Sequence, residues 1–127
     1  PTGGYVFFCD VDDVVVLDWQ TAAVGSPTRD LAYFLGTSLK VEERRKVEND
    51  LVQLYHRELL ARGVEHYAFE QCFRDYRRDL LQATLITSIG CIHATGERSQ
   101  SSDEMFLSMA SRSCAAIRDL GTLDLID

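Results

Sequence analysis

The run Val14-Val15-Val16-Leu17 constrains this chain more than any other stretch. Consecutive branched aliphatic side chains suit a strand that is covered on both faces, because successive residues point to opposite sides of a sheet. A second apolar run, Tyr5 to Cys9, precedes it across Asp10-Val11-Asp12-Asp13. Two such runs joined by an acidic link predict a β-hairpin over residues 5–17, since aspartate tolerates turn backbone angles and bonds to nearby amides.

Asp18 follows at the point where the second strand must stop being apolar. A carboxylate at the mouth of a buried strand is a natural ligand for magnesium, a small hard cation that takes one or two protein carboxylates together with phosphate oxygens. Trp19 beside it suits either a core anchor or a substrate platform. Gln20 either lines a cleft or closes the loop.

The rest of the chain reads as helices. Gly25-Ser26-Pro27-Thr28 breaks the chain, with Ser26 as expected N-cap and Pro27 in the first helical position of a helix from about Pro27 to Leu39. Asp30 falls in its first turn, where the helix dipole favours a carboxylate. A second helix is expected from about Val41 to Arg62, with Val47, Leu51, Leu54, Tyr55 and Leu59 on one face and Gly63 as its stop. A third carries Phe69, Cys72, Phe73, Tyr76, Leu80, Ala83 and Thr84 at helical spacing from about Ala68 towards His93, with a break expected near Gly90. Gly96 to Ser101 reads as a loop. Ser102 is the expected cap of a last helix whose apolar face is Phe106, Met109, Ala110, Ile117 and Leu120, and whose stop is Gly121. The fold class is α+β, mostly α: a short hairpin over 5–17 followed by a helical bundle over 27–120.

Composition narrows the function. The net charge of -7 comes from 20 acidic against 13 basic residues, which argues against a nucleic-acid or anionic-membrane partner. Arg74, Arg77 and Arg78 alternate with Asp75 and Asp79 and read as a solvated face with internal ion pairs rather than a phosphate patch. Cys9, Cys72, Cys91 and Cys114 form no Cys-x-x-Cys pair, which disfavours zinc and predicts buried thiols in a reduced, cytoplasmic protein. His56, His66 and His93 have no metal-ligand spacing and are read as surface or satisfied core residues. The uncharged stretch Leu80 to Gly96 is too short and too polar to span a bilayer, and suits a central helix buried on most sides. No signal peptide is visible.

Leu17-Asp18-Trp19-Gln20 together with Asp30-Leu31-Ala32-Tyr33 resembles the C-terminal lobe of the aminoglycoside phosphotransferase and choline kinase-like superfamily of small-molecule kinases, which includes the ecdysteroid kinase-like proteins. The likeness is tightest from Val14 to Leu39. In that family a β-hairpin ends in a magnesium-binding aspartate, and a helix carrying Asp-Leu-Ala follows. The resemblance implies that Asp18 is the metal ligand, that Asp18 and Gln20 face the cofactor, and that Asp30 braces the catalytic loop. It further implies Mg2+ with ATP or GTP as cofactors and a small-molecule hydroxyl as acceptor.

Two parts of the family pattern do not occur in these residues. The catalytic loop, His-x-Asp-x-x-x-x-Asn, has no counterpart, since the histidines open His56-Arg57-Glu58, His66-Tyr67-Ala68 and His93-Ala94-Thr95. The nucleotide-binding lobe has none either, because Lys40 and Lys46 are the only lysines and no glycine-rich strand pair precedes them. The 127 residues are therefore read as a partial C-terminal lobe from a longer kinase, its missing partner being its own N-terminal lobe, and the isolated chain as inactive. Phe7-Phe8-Cys9-Asp10-Val11-Asp12 also resembles the first motif of haloacid dehalogenase-like phosphatases, which would make Asp10 a nucleophile and Asp12 a general acid. A non-catalytic helical binding module is the third alternative.

Overall fold

The computed structural model describes the backbone of residues 6–10, 13–16, 23–93 and 99–126, and side chains within 23–92 and 99–126. Strand β1 (Val6–Asp10) pairs antiparallel with β2 (Asp13–Val16), in the register Val6 to Val16, Phe7 to Val15, Phe8 to Val14 and Asp10 to Asp13. The register is irregular between Phe8 and Asp10. Helices α1 (Arg29–Ser38), α2 (Val41–Ala61), α3 (Phe69–His93) and α4 (Gln100–Asp119) follow, then a 3-10 helix over Thr122–Leu125. The chain is mostly helical.

Helix α3 is the hub, packed against α1 and α4, with α2 lying more lightly across them. Ala32 and Leu35 of α1, Val52 of α2, Cys72, Tyr76 and Leu80 of α3 and Ala116 of α4 form one fully buried cluster. On α3 the expected stripe through Cys72, Tyr76, Leu80 and Ala83 is the buried one. Close approach of α1 to α3 depends on Gly36, where an added Cβ would lie 3.0 Å from Leu80 Cδ2.

Helix α2 departs from its expected face. Its buried residues are Arg44, Glu48, Val52 and His56, spaced four apart, whereas Val47 and Leu54 are exposed. Hydrogen bonds among the buried polar groups account for this choice, although Arg44 Nε is left without an acceptor. Arg44 Nη1 donates to Glu48 Oε1 and Oε2 at 2.7 and 2.6 Å, and Arg44 Nη2 also bonds Asp119 of α4. Tyr76 Oη of α3 donates to Glu48 Oε1 at 2.7 Å, and His56 Nε2 lies 2.7 Å from the Tyr67 carbonyl oxygen. Arg45 extends the network, its Nε donating to Asp119 Oδ2 at 2.8 Å. That bond, ahead of the neighbouring charges, holds the Asp119 carboxyl below its usual range.

Three helix boundaries also differ. Thr28, not Ser26, occupies the N-cap of α1, and its side chain makes no cap bond. Helix α3 runs through Gly90 without a break, and an added Cβ there would lie 3.2 Å from Phe106 Cε1. Ser99 rather than Ser102 caps α4: its side chain accepts from the Ser102 amide at 3.1 Å. At the far end of α4, Gly121 adopts φ 57°, a left-handed angle that glycine reaches without a Cβ penalty, and so starts the 3-10 turn.

The end of α3 is not enclosed, since Leu85, Ile89 and Ile92 are all exposed. The cysteines divide as well: Cys72 is buried, Cys91 half-buried and Cys114 exposed, none of the three in a disulfide, so burial does not hold for Cys114. The Cys9 side chain lies outside the described residues. Among the described residues no helix is long and apolar enough to cross a membrane.

Candidate functional site

The described part of the candidate site is the entry to α1, the segment that links the Asp18 region to Asp30. Residues 17–22, and with them Asp18, Trp19 and Gln20, lie outside the described residues. Asp30 sits in the first turn of α1 and is solvent-exposed, the position where a carboxylate complements the unpaired amides of a helix start.

What holds this entry is a carboxylate from another helix. Asp79 of α3 is 8% exposed and Thr28 fully buried. Thr28 Oγ1 donates to Asp79 Oδ2 at 2.7 Å, and Ser26 Oγ donates to the same oxygen. The two hydroxyls lie 3.1 Å apart. Arg78 Nε stands 3.8 Å from Asp79 Oδ1, so a cation balances the buried charge. These bonds explain why Ser26 and Thr28 do not spend their hydroxyls on the local amides of α1: a buried ionised acceptor forms a stronger bond than a neutral one.

Helix α2 adds a second tether. Tyr55 Oη donates to the Pro27 carbonyl oxygen, and burial, followed by the charge of Asp30, pushes the Tyr55 hydroxyl above its ordinary pKa. The electrostatic coupling relates Tyr55 to Asp30 across the start of α1. Ser26, Pro27 and Thr28 are thus gripped from α3 on one hand and α2 on the other.

Asp79 and Tyr55 were not singled out as site residues in the sequence. Asp79 looks there like one member of an Arg-Asp alternation, and its partners Ser26 and Thr28 are 53 and 51 positions away. The Ser-Pro-Thr signature was visible, but its partner was not.

Other candidates fare as follows. His56 is a buried histidine satisfied by a carbonyl, as expected, and His66 is exposed; the His93 side chain lies outside the described residues. Among the described residues no group of three or more histidine, cysteine or acidic side chains is placed to hold a metal. Asp10 ends β1 opposite Asp13 with its side chain undescribed, and Asp12 is outside the described residues. The sheet of β1 and β2 is antiparallel.

Neither a curated protein nor a solved structure matches the chain. A family model does. Residues 8–67, which contain Asp18, Gln20 and Asp30, match the model of the ecdysteroid kinase-like family.

Proposed function

We propose that this chain is part of a phosphotransferase that moves the γ-phosphoryl group of ATP or GTP to a hydroxyl of a small molecule, with Asp18 as a magnesium ligand. The family match over residues 8–67 carries this reading, because it spans the hairpin, Asp18-Trp19-Gln20 and the Asp30-Leu31-Ala32 helix start as one unit. Phosphoryl transfer asks little covalent chemistry of a protein and much positioning and charge neutralisation. Bound magnesium would supply that neutralisation. Asp18 would hold it, Gln20 would face the nucleotide, and Asp30 would brace the catalytic loop.

The anchoring of Ser26 and Thr28 by Asp79 supports the reading. An aspartate that binds metal must be held within a fraction of an ångström of its working position, which requires a rigid support at the ends of its loop. Asp79 and Tyr55 fix the downstream end. The base, the second magnesium ligand and the phosphate-gripping lysine have no counterpart in these 127 residues, so the N-terminal lobe and catalytic loop would come from elsewhere in the same protein.

Phosphoryl transfer from ATP or GTP to a panel of aminoglycosides, choline and homoserine tests this directly. The 127 residues alone should give no turnover above an Asp18→Ala control. The same polypeptide with its catalytic loop and nucleotide lobe should transfer phosphate, and Asp18→Asn should cut kcat by at least about 100-fold, the scale of losing a metal ligand at the transferring group. Turnover by the isolated chain, or an Asp18→Asn enzyme of undiminished rate, would overturn the proposal.

A further inference from the structure

Of the basic cluster Arg74, Arg77 and Arg78, one member is accounted for by carboxylates. Arg78 pairs with Asp75 at 3.3 Å and with Asp79 at 3.8 Å. Arg74 and Arg77 make no ion pair among the described residues. Arg77 donates from Nη2 to the Gly121 carbonyl oxygen at 2.9 Å, and its Nε is buried with no acceptor. A buried guanidinium N–H without a partner is costly, and in a chain of net charge -7 unpaired cations on one face are conspicuous.

These two arginines line an open depression of about 480 Å3, a volume suited to a small organic ligand. Its floor is the α3 stripe Phe69, Phe73, Arg74 and Arg77, with Asn49 of α2 and Leu125 of the 3-10 helix as walls. The Phe69 and Phe73 rings are 5.9 Å apart and inclined at 42°. They present apolar ring surface one helical turn from the guanidinium groups. Among the described residues that line the depression, Glu70 is the one acidic side chain and makes no ion pair with Arg74, so two described cations stand beside one described anion.

We propose that this depression binds a small amphiphilic oxyanion, an apolar ring or chain bearing a carboxylate or phosphate. The apolar body would lie against Phe69, Phe73 and Leu125, with Asn49 available as a polar contact. The anionic group would lie between Arg74 and Arg77, which stand three residues apart on one helix face. Guanidinium groups suit both oxyanions because their planar donors match carboxylate and phosphate edges. The site uses none of the residues assigned to phosphoryl transfer, so it stands or falls independently of that assignment.

NMR titration of the 127-residue chain with 2-naphthoate, 2-naphthyl phosphate and neutral 2-naphthol tests it. Both anions, or one of them, should bind saturably with Kd of about 1 mM or tighter and shift the signals of residues 69–77. The tighter of the two identifies the oxyanion, and 2-naphthol should bind at least about tenfold more weakly. Arg74→Gln, an exposed site with no ion pair to lose, should weaken the anions by a similar factor and leave 2-naphthol unchanged. No saturable binding by either anion, equal binding of 2-naphthol, or an Arg74→Gln chain that binds the anions as well as the parent would overturn the proposal.

Discussion

Asp79 Oδ2 accepts the Thr28 hydroxyl at 2.7 Å, so a carboxylate in the middle of α3 fixes the residue that begins α1. The bond is buried at both ends and is shared with Ser26. It sets where Asp30 starts its helix.

Removing that acceptor should loosen the start of α1 before it loosens the core. Asp79→Ala leaves the Thr28 hydroxyl buried without its partner and is expected to cost about 1–3 kcal/mol in chemical denaturation. Amide exchange should accelerate at Arg29 to Ala32 while that of Tyr76 and Leu80 keeps pace with global unfolding. Unchanged exchange in the first turn of α1 would show that the tether does not hold it.

Among the described residues Arg44 is the largest fully buried side chain; it pairs with Glu48 on its own helix and ties α2 to α4 through Asp119. Arg44→Leu should cost about 3–5 kcal/mol, because Glu48 is left buried with only the Tyr76 hydroxyl as donor. Arg44→Leu combined with Glu48→Met should recover much of that loss, since the uncompensated charge is gone. A double variant as unstable as the single one would mean that packing, not charge, is what Arg44 contributes.

The pH dependence of stability should have two limbs. Asp119 is held below its ordinary pKa by the Arg45 bond, so the unfolded chain binds the extra proton first. The stabilisation is complete above the unfolded value and is lost as pH falls below about 4. Tyr76 is pushed well above the ordinary tyrosine range by burial and then by the charge of Glu48, so its contribution is lost as pH rises past about 10. Thermal melts across pH should lose the acidic limb in Asp119→Asn and shrink the alkaline limb in Tyr76→Phe. Melts of those variants that track the parent at both extremes would contradict these assignments.

Asp30 separates two roles by experiment. If it serves only the α1 dipole, Asp30→Asn lowers stability by about 0.3–1 kcal/mol and high salt removes the difference. A brace for the catalytic loop predicts in addition a lower kcat in the polypeptide that carries that loop. A kcat equal to the parent's would leave the dipole as its whole role.

The helices were legible because their periodicity is long and their stops are glycines. Gly63 and Gly121 both take positive φ just past a helix end, at 92° and 57°. Their polar interior was not legible. Arg44, Glu48 and His56 sit at the spacing of a solvated face, and only the arrival of Asp119, Tyr76 and the Tyr67 carbonyl makes that face buried. Ser26 shows the same limit from the other side: local grammar made it a cap, and a carboxylate 53 residues away claimed its hydroxyl. In the candidate site the sequence picked out Asp30, which heads α1 as expected. It missed Asp79 and Tyr55 because tertiary partners leave no mark on neighbouring positions.

The measurement that bears most directly on the phosphotransferase reading is the coding DNA on the 5′ side of the Pro1 codon. An in-frame His-x-Asp-x-x-x-x-Asn a few codons upstream, with a lysine-bearing nucleotide lobe before it, is the expected result. An initiator codon there, or an upstream reading frame without that loop, would contradict it and leave Asp18 without the groups it needs to act on a nucleotide.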